Sequence, residues 1–366
     1  MTLTPSSDLI SIDLFAGAGG LSEGLEEAGF HTLFASEIVP QYAETYARNH
    51  PSAKVCVEDI RKTDPERVRR ELGLEKGQLD LVAGGPPCQG FSINAPVRSN
   101  EDPRNHLFRE YLRYVDAFQP RAILIENVPG LVSFEHGGTL HAILDALADL
   151  GYGADVHILG APYYGVPQMR WRTIILGLRG AVIPQSAWPE PTRHAPVRAN
   201  FTTTFDGRQI VKQPSPETDA PFTTLREAIG DLPSLQNGER GEAVKEYPVR
   251  PQCDYQRALR RGSIGVLNHE APRLSAVNMQ RLNYIQQGGN CQKACVKLGN
   301  LITQSVMDVL CGMGYLPRSS PSATPTGVLF STLTRTGHLQ LEKQRVFNPF
   351  LTTMYLQVLR LNNMRR

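Results

Sequence analysis

Three short stretches of this chain carry side chains that could do chemistry from fixed points of the backbone. In VAGGPPCQGFS (82–92), Cys88 follows a strand-like apolar run and two prolines, and a Gln-Gly comes after it. Proline continues neither a strand ladder nor a helix interior, so the chain turns there on a stiff backbone. A thiol is a good nucleophile once deprotonated, and a rigid turn fixes its line of attack. The competing reading is a buried structural cysteine. In LIENVPG (124–130), Glu126 closes an apolar run. A carboxyl there costs free energy unless it is paired or functional, so it is a catalytic acid or a capping, salt-bridged one. In QMRWR (168–172), Arg170 and Arg172 stand two apart on an extended segment, hence on one face. They are either surface arginines beside a hairpin or a pair of fixed donors for a phosphate, carbonyl or carboxylate.

A fourth stretch could hold a cofactor. DLFAGAGGLSEGL (13–25) reads strand, glycine turn, helix. Its glycines let the backbone approach a ligand, and the helix start offers free N–H groups; a tight turn without ligand is the plainer alternative. Gly17 and Gly19 match the first two glycines of a dinucleotide fingerprint, but Ser22 stands where the third belongs. Glu37 ends the next strand, where a carboxylate can accept from ribose hydroxyls, and Asp59 follows a further short strand. This set suits an adenosine-bearing cofactor without a pyrophosphate, S-adenosylmethionine being the obvious candidate. No stretch has metal-ligand spacing.

The elements that must position these residues are legible between 9 and 180. LISIDLF, HTLFASEI, LDLVAGG, RAILIENV, ADVHILGA and RTIILGL read as strands. GLSEGLEEAGF, PQYAETYARNH, HLFREYLRYVDAFQP and LHAILDALADLGY read as helices. Such alternation predicts a doubly wound α/β sheet, whose ligands sit at the carboxyl ends of the strands. All four informative stretches fall at such ends. Beyond 180 the chain becomes Pro-rich, polar and aperiodic, which predicts a boundary near 180–190 and a less regular second region with a helix at TLREAIGDL.

With 41% hydrophobic and 20% charged residues, the composition is that of an ordinary globular protein rather than a disordered or membrane-embedded one. No apolar run reaches membrane-span length, the start lacks a signal-peptide pattern, and six scattered cysteines suggest no disulfide framework. The expected location is the cytoplasm, without membrane contact. Charge is uneven: residues 291–366 hold nine Lys/Arg against two acids, net +7, so the first 290 residues net −5 of the total +2.

Taken together, DLFAGAGGLSEGLEEAGF, GGPPCQGFS, ENVPG and QMRWR resemble the cofactor loop, nucleophile loop, acid motif and arginine motif of the DNA (cytosine-5)-methyltransferase family, in family order and at family-like spacing. The resemblance implies a Rossmann-like S-adenosylmethionine methyltransferase sheet with a smaller, irregular target-recognition domain. It implies that Cys88 attacks C6 of cytosine and Glu126 holds the N3/N4 edge and assists protonation at N3. Arg172 would hold the O2 edge, with Arg170 structural or near the phosphates. Leu14, Phe15, Gly17 and Gly19 would line S-adenosylmethionine, with Glu37 on the ribose, Asp59 and Ile60 on the adenine, and Leu107 also in contact. The loop 93–106 resembles one that closes over a flipped-out base. The implied partner is double-stranded DNA, with a cognate restriction endonuclease acting on the same site, and the chain is expected to be a monomer. An RNA (tRNA) cytosine methyltransferase on the same fold is the alternative; the roughly 110 residues between 181 and 290 favour DNA.

The tail departs from the family. The family's "REAA-LQ-FP" and "GN-VPP" segments are not found, whereas a shifted reading of the codons for 305–317 and 341–359 can yield family-like strings. The expected organisation is therefore 1–183 catalytic and cofactor-binding, 184–300 a partial target-recognition domain, and 301–366 an out-of-frame, poorly ordered tail. In that case the chain could be an inactive remnant that at most binds nucleic acid.

Overall fold

Short apolar runs rich in β-branched residues set the strands, and the first five are each followed by a helix. The computed structural model describes residues 9–87, 107–194, 199–240, 244–267, 269–276 and 278–279. Cys88, the loop 93–106 and the tail 301–366 lie outside these residues. In chain order come β1 (Leu9–Leu14), α1 (Gly20–Glu27), β2 (Phe30–Ser36), α2 (Pro40–Asn49), β3 (Lys54–Cys56), α3 (Pro65–Glu71), β4 (Leu81–Gly84) and α4 (Leu107–Phe118). Then follow β5 (Ala122–Asn127), the single turn α5 (Gly130–Ser133), α6 (Gly138–Asp149), β6 (Tyr152–Gly160) and β7 (Trp171–Arg179).

The seven strands form one sheet in the order β3-β2-β1-β4-β5-β7-β6. The first five run parallel, as the helical crossovers between them require. β7 runs antiparallel to both β5 and β6, so the sheet is mixed. The reason is the short connection 161–170: without a crossover helix, β7 can only return beside β6 in the opposite sense. The strand order reverses between β1 and β4, and at that switch point the ends of both strands open a crevice.

Alternation along the strands separates two unlike faces. Ile12, Leu14, Phe34, Val82, Ile123 and Ile125 pack with Tyr111, Tyr114 and Phe118 of α4 in the main core. The other face of β1 and β2 is polar as well as buried, carrying Ser11, Asp13 and Thr32 towards α1 and α2, with Ala35 against Tyr46. Tyr111 ties α4 to the sheet, its hydroxyl donating to the Val82 carbonyl at 2.8 Å.

Contacts divide the chain into two units, one of 9–164 and 170–220, the other of 165–169 and the described residues from 221 onward. Residues 184–220, placed by sequence with the second region, group with the sheet. Ile158 N–H donates to the Ile210 carbonyl at 2.8 Å and Lys212 N–H to that of Ile158 at 3.1 Å, adding a rung beside β6. Ile210 and Val211 join the core, and the strands β8 (Thr204–Phe205) and β9 (Arg208–Gln209) form a short hairpin before them. In the second unit the expected helix is the short α7 (Leu225–Ile229), started by a capping box between Thr224 and Glu227. β10 (Val244–Lys245) pairs with β11 (Val266–Leu267) around α8 (Asp254–Leu259). The buried Asp231 accepts from Arg260 Nε at 2.7 Å. Among the described residues no helix is long and apolar enough to cross a membrane.

Candidate active site

β1 ends at Leu14 and the chain enters a loop with three left-handed residues in five: Phe15 (φ 59°), Gly17 (φ 58°) and Gly19 (φ 98°). For a bulky residue such as Phe15 that conformation costs about 1–3 kcal/mol, strain of the kind found where a loop must face a ligand. A Cβ on Gly17 would meet no described residue within 4 Å. Gly19 has no room for one: its Cβ would fall 2.4 Å from Nε2 of His50. The loop is closed by Gly19 N–H donating to Ala16 O and Ala16 N–H to Ser36 O, both at 3.0 Å.

Glu37 sits just past β2, buried, and accepts from Gly17 N–H and Val39 N–H, each at 2.8 Å. One bond to each oxygen leaves lone pairs on both for a vicinal diol. Ile38 beside it is 59% exposed, an apolar surface at the strand ends that sequence reasoning passed over. Asp59 caps the single 3₁₀ turn Ile60–Lys62 by accepting from Arg61 N–H at 3.0 Å, and Arg61 Nε also donates to it at 3.0 Å. These bonds pull the Asp59 carboxyl down to about 2, so it stays ionised. Ile60 is buried and Leu107 half-buried against the core. The ordered Glu37 carboxylate and the exposed Ile38 side chain beside the glycine loop fit a nucleoside, such as the adenosine of S-adenosylmethionine.

The strand ends close up next to this loop. A Cβ on Gly84 would lie 2.6 Å from the Leu14 carbonyl, so only glycine allows β4 to reach β1 there, and Gly85 N–H donates to that carbonyl at 3.2 Å. On its other side a Cβ on Gly85 would lie 3.3 Å from Oε2 of Glu126. Asn127 Nδ2 donates to Pro86 O at 3.1 Å and pins the turn. Pro87 is the last described residue before Cys88, one peptide unit or about 3.8 Å away along the chain. Thus Leu14, the backbone leading to Cys88, and Glu126 form one cluster at the switch point.

Glu126 is gripped from β7. Arg172 Nε donates to its Oε1, and Arg170 Nη2 stands 4.0 Å from the same oxygen. Both arginines therefore share a face, as their spacing predicts. Arg172 is largely buried and also donates to the Trp171 carbonyl at 2.7 Å, whereas Arg170 is 39% exposed. A carboxylate held this way is oriented, and its second oxygen faces Gly85.

Sequence reasoning missed the polar cluster under the loop. Asp13 in β1 accepts from Ser22 Oγ at 2.7 Å, and Ser22 Oγ lies 2.6 Å from the Tyr46 hydroxyl. His50 is fully enclosed, with Nδ1 2.9 Å from Oε1 of Glu26. Two signals were present: an acid inside an apolar strand, and Tyr46 and His50 four apart on one helix face. Burial pushes the Asp13 carboxyl up to about 7, against its bond from Ser22 and the nearby His50. Burial would lower His50, but the hydrogen bond and charge of Glu26 outweigh it and raise it.

Both shifts have the same sign: the native state holds these protons more tightly than the unfolded chain. Stability is then fullest below the unfolded Asp value near 4 and is lost as pH rises through about 7, by at most about 4 kcal/mol for Asp13. Denaturant midpoints of the chain are expected to fall between pH 5 and 8, and those of Asp13→Asn to fall much less. Equal slopes for the two proteins would remove Asp13 as the cause.

The family model described as C-5 cytosine-specific DNA methylase matches residues 9–288. The type II methyltransferase M.AgeI of Thalassovita gelatinovora is 39% identical over 283 residues, 76% of this chain and 64% of that protein. M.DdeI of Desulfomicrobium norvegicum is 36% identical over 280 residues, 76% of this chain and 61% of that protein. The chain thus spans about three fifths of the length of these two relatives. Among solved structures, a candidate DNA modification methyltransferase encoded within an E. coli prophage has the same fold. Its TM-score is 0.63 at 20% identity, covering 97% of this chain and 99% of that one.

Proposed function

Since this chain belongs to the C-5 cytosine-specific DNA methylase family, we propose that its site transfers a methyl group to C5 of a flipped-out cytosine in duplex DNA, with Cys88 as the covalent nucleophile. When bound, S-adenosylmethionine supplies the electrophilic methyl group on its sulfonium. The observation that carries the reading is the cluster of Leu14, Gly85, Asn127 and Glu126 with Arg172 and Arg170. It sets an oriented carboxyl between the cofactor loop and the turn that leads to a thiol.

The chain's residues divide the work. Cys88 as thiolate adds to C6, the C5–C6 π electrons shift towards C5, and Glu126 delivers a proton to N3, so no full charge builds on the ring. C5 then carries the electron density that takes the methyl group. A base removes the C5 proton, that electron pair re-forms the C5–C6 double bond as the thiolate leaves C6, and N3 returns its proton to Glu126. Arg172 orients Glu126 and reaches for the O2 edge. A cytosine inside a duplex hides its face, so the base must be flipped out. Glu37 would hold the ribose hydroxyls, with Ile38 and Ile60 beside the adenine and Asp59 near its edge.

Glu126→Gln keeps the shape but cannot donate a proton to N3. Turnover of an active form is expected to drop by roughly 10²–10⁴-fold, the usual worth of general acid assistance. A loss below about threefold would leave Glu126 a turn-orienting residue only. The reading as a whole is tested by labelled-methyl transfer to duplex DNA and to tRNA; transfer to tRNA alone overturns the choice of DNA. A companion restriction endonuclease recognising the same DNA site and a monomeric enzyme belong to the same proposal. So does an out-of-frame tail, with the consequence that the chain as written turns over weakly or not at all.

A further inference from the structure

Ser22 occupies the place of the third glycine in a dinucleotide-type loop, and the fold gives that hydroxyl a use. It has one proton, which goes to Asp13 Oδ2 at 2.7 Å, so the 2.6 Å contact with Tyr46 is the tyrosine O–H donating to Ser22. A chain of hydrogen bonds thereby runs from α2 through α1 to the end of β1, all within the buried polar face. Beside it the His50 ring lies 4.6 Å from the Tyr46 ring, is held by Glu26, and fills the space a Cβ on Gly19 would need. The groups facing Asp13 and His50 are Ser22, Glu23 and Glu26 from α1, Tyr46 from α2, and Glu37 beyond β2.

We propose that Tyr46, Ser22 and Asp13, with His50 braced by Glu26 against Gly19, are positioning residues that hold the strained loop 15–19 in its ligand-ready shape. Loosening them weakens cofactor binding; this second half rests on the cofactor reading above. The physical reason is that three left-handed residues in five do not hold themselves. A Cβ at Gly17 would meet no described residue within 4 Å, whereas one at Gly19 would run into His50, so among the described residues the support lies on the Gly19 side. Glu37 accepts from Gly17 N–H, so a loop that shifts also misplaces the ribose carboxylate.

The test uses the full chain and two variants, Tyr46→Phe, which removes one hydroxyl, and Ser22→Ala. Amide hydrogen exchange is followed in peptides covering 15–20 and in the strands, without ligand, and S-adenosylmethionine affinity is measured by calorimetry. Exchange at 15–20 is expected to accelerate about tenfold, the equivalent of one lost buried hydrogen bond, while the strands are unaffected and Kd rises by a similar factor. If Ser22→Ala fails to fold, Tyr46→Phe carries the test alone. Unchanged exchange at 15–20, or equal acceleration through β1–β5, overturns the proposal. A chain that binds no S-adenosylmethionine even with its reading frame restored, while the loop still responds to Tyr46→Phe, sinks the cofactor reading and the second half with it, and supports the positioning of the loop.

Discussion

Cys88→Ser, made in a form of the chain that turns over, is expected to abolish methyl transfer below detection and to leave S-adenosylmethionine affinity within about twofold, since no cofactor contact is altered. The reason is the difference between sulfur and oxygen. A thiol near pKa 8.5 is partly ionised at neutral pH and intrinsically nucleophilic, whereas a serine hydroxyl stays protonated. Cytosine C5 is too weak a nucleophile without addition at C6, so losing the covalent step removes the reaction itself. Glu37, the glycine loop and Glu126 stay as they are, which separates the effect from misfolding. Duplex DNA carrying 5-fluorocytosine offers a second readout. Fluorine cannot leave C5 as a cation, so an adduct should persist with the parent thiol and be absent from the serine variant. Near-normal turnover of the variant would remove Cys88 from the mechanism.

Restoring the reading frame beyond codon 300 is expected to raise methyl transfer from weak or absent to readily measured. Each codon's third base can be read with the first two bases of the next. LEKQRVFNPFLTTMYLQVL (341–359) can then encode REAASLQSFPDDYVFTGS, with Val forced by Met354-Tyr355. SVMDVLCGMGYLP (305–317) can encode RYGRLMWDGLPA, with Gly forced by Met307-Asp308. Degeneracy makes one such match weak, but two in one frame and in family order reinforce each other. A shifted segment has not been selected to agree with the rest of the fold, so its apolar pattern should lack a consistent period. By family resemblance the restored segment would complete the recognition region and cover the glycine loop. Sequencing the gene decides it. Early stop codons in the alternative frame, or normal turnover by the chain as written, would overturn the frameshift.

Much of the sheet could be read from the chain because its signals are local. Strand and helix periods, the glycine turn after β1 and the proline turn after β4 each depend on neighbours within a few residues. Each of the ten expected strands and helices between 9 and 180 exists, with ends differing by a few residues. The carboxyl-end rule of α/β sheets then placed Glu37, Glu126 and Leu14 towards one crevice before any fold was known.

What only the tertiary structure decided depends on which distant elements become neighbours. Period carries no information on strand order, so the antiparallel return of β7, which brings Arg172 and Arg170 onto Glu126, had to be seen. The same holds for residues 184–220, polar and Pro-rich by composition yet grouped with the sheet through Ile210 and Val211. Asp13 lies nine residues from Ser22, and Ser22 twenty-four from Tyr46. Their pairing arises because β1, α1 and α2 converge on one face of the sheet. By itself the sequence determined the strand ends, the turns and the types of residue offered there, since these follow from local sterics and periodicity. The partners of those residues came from packing: a buried acid is tolerable only beside particular donors, and those are chosen in three dimensions.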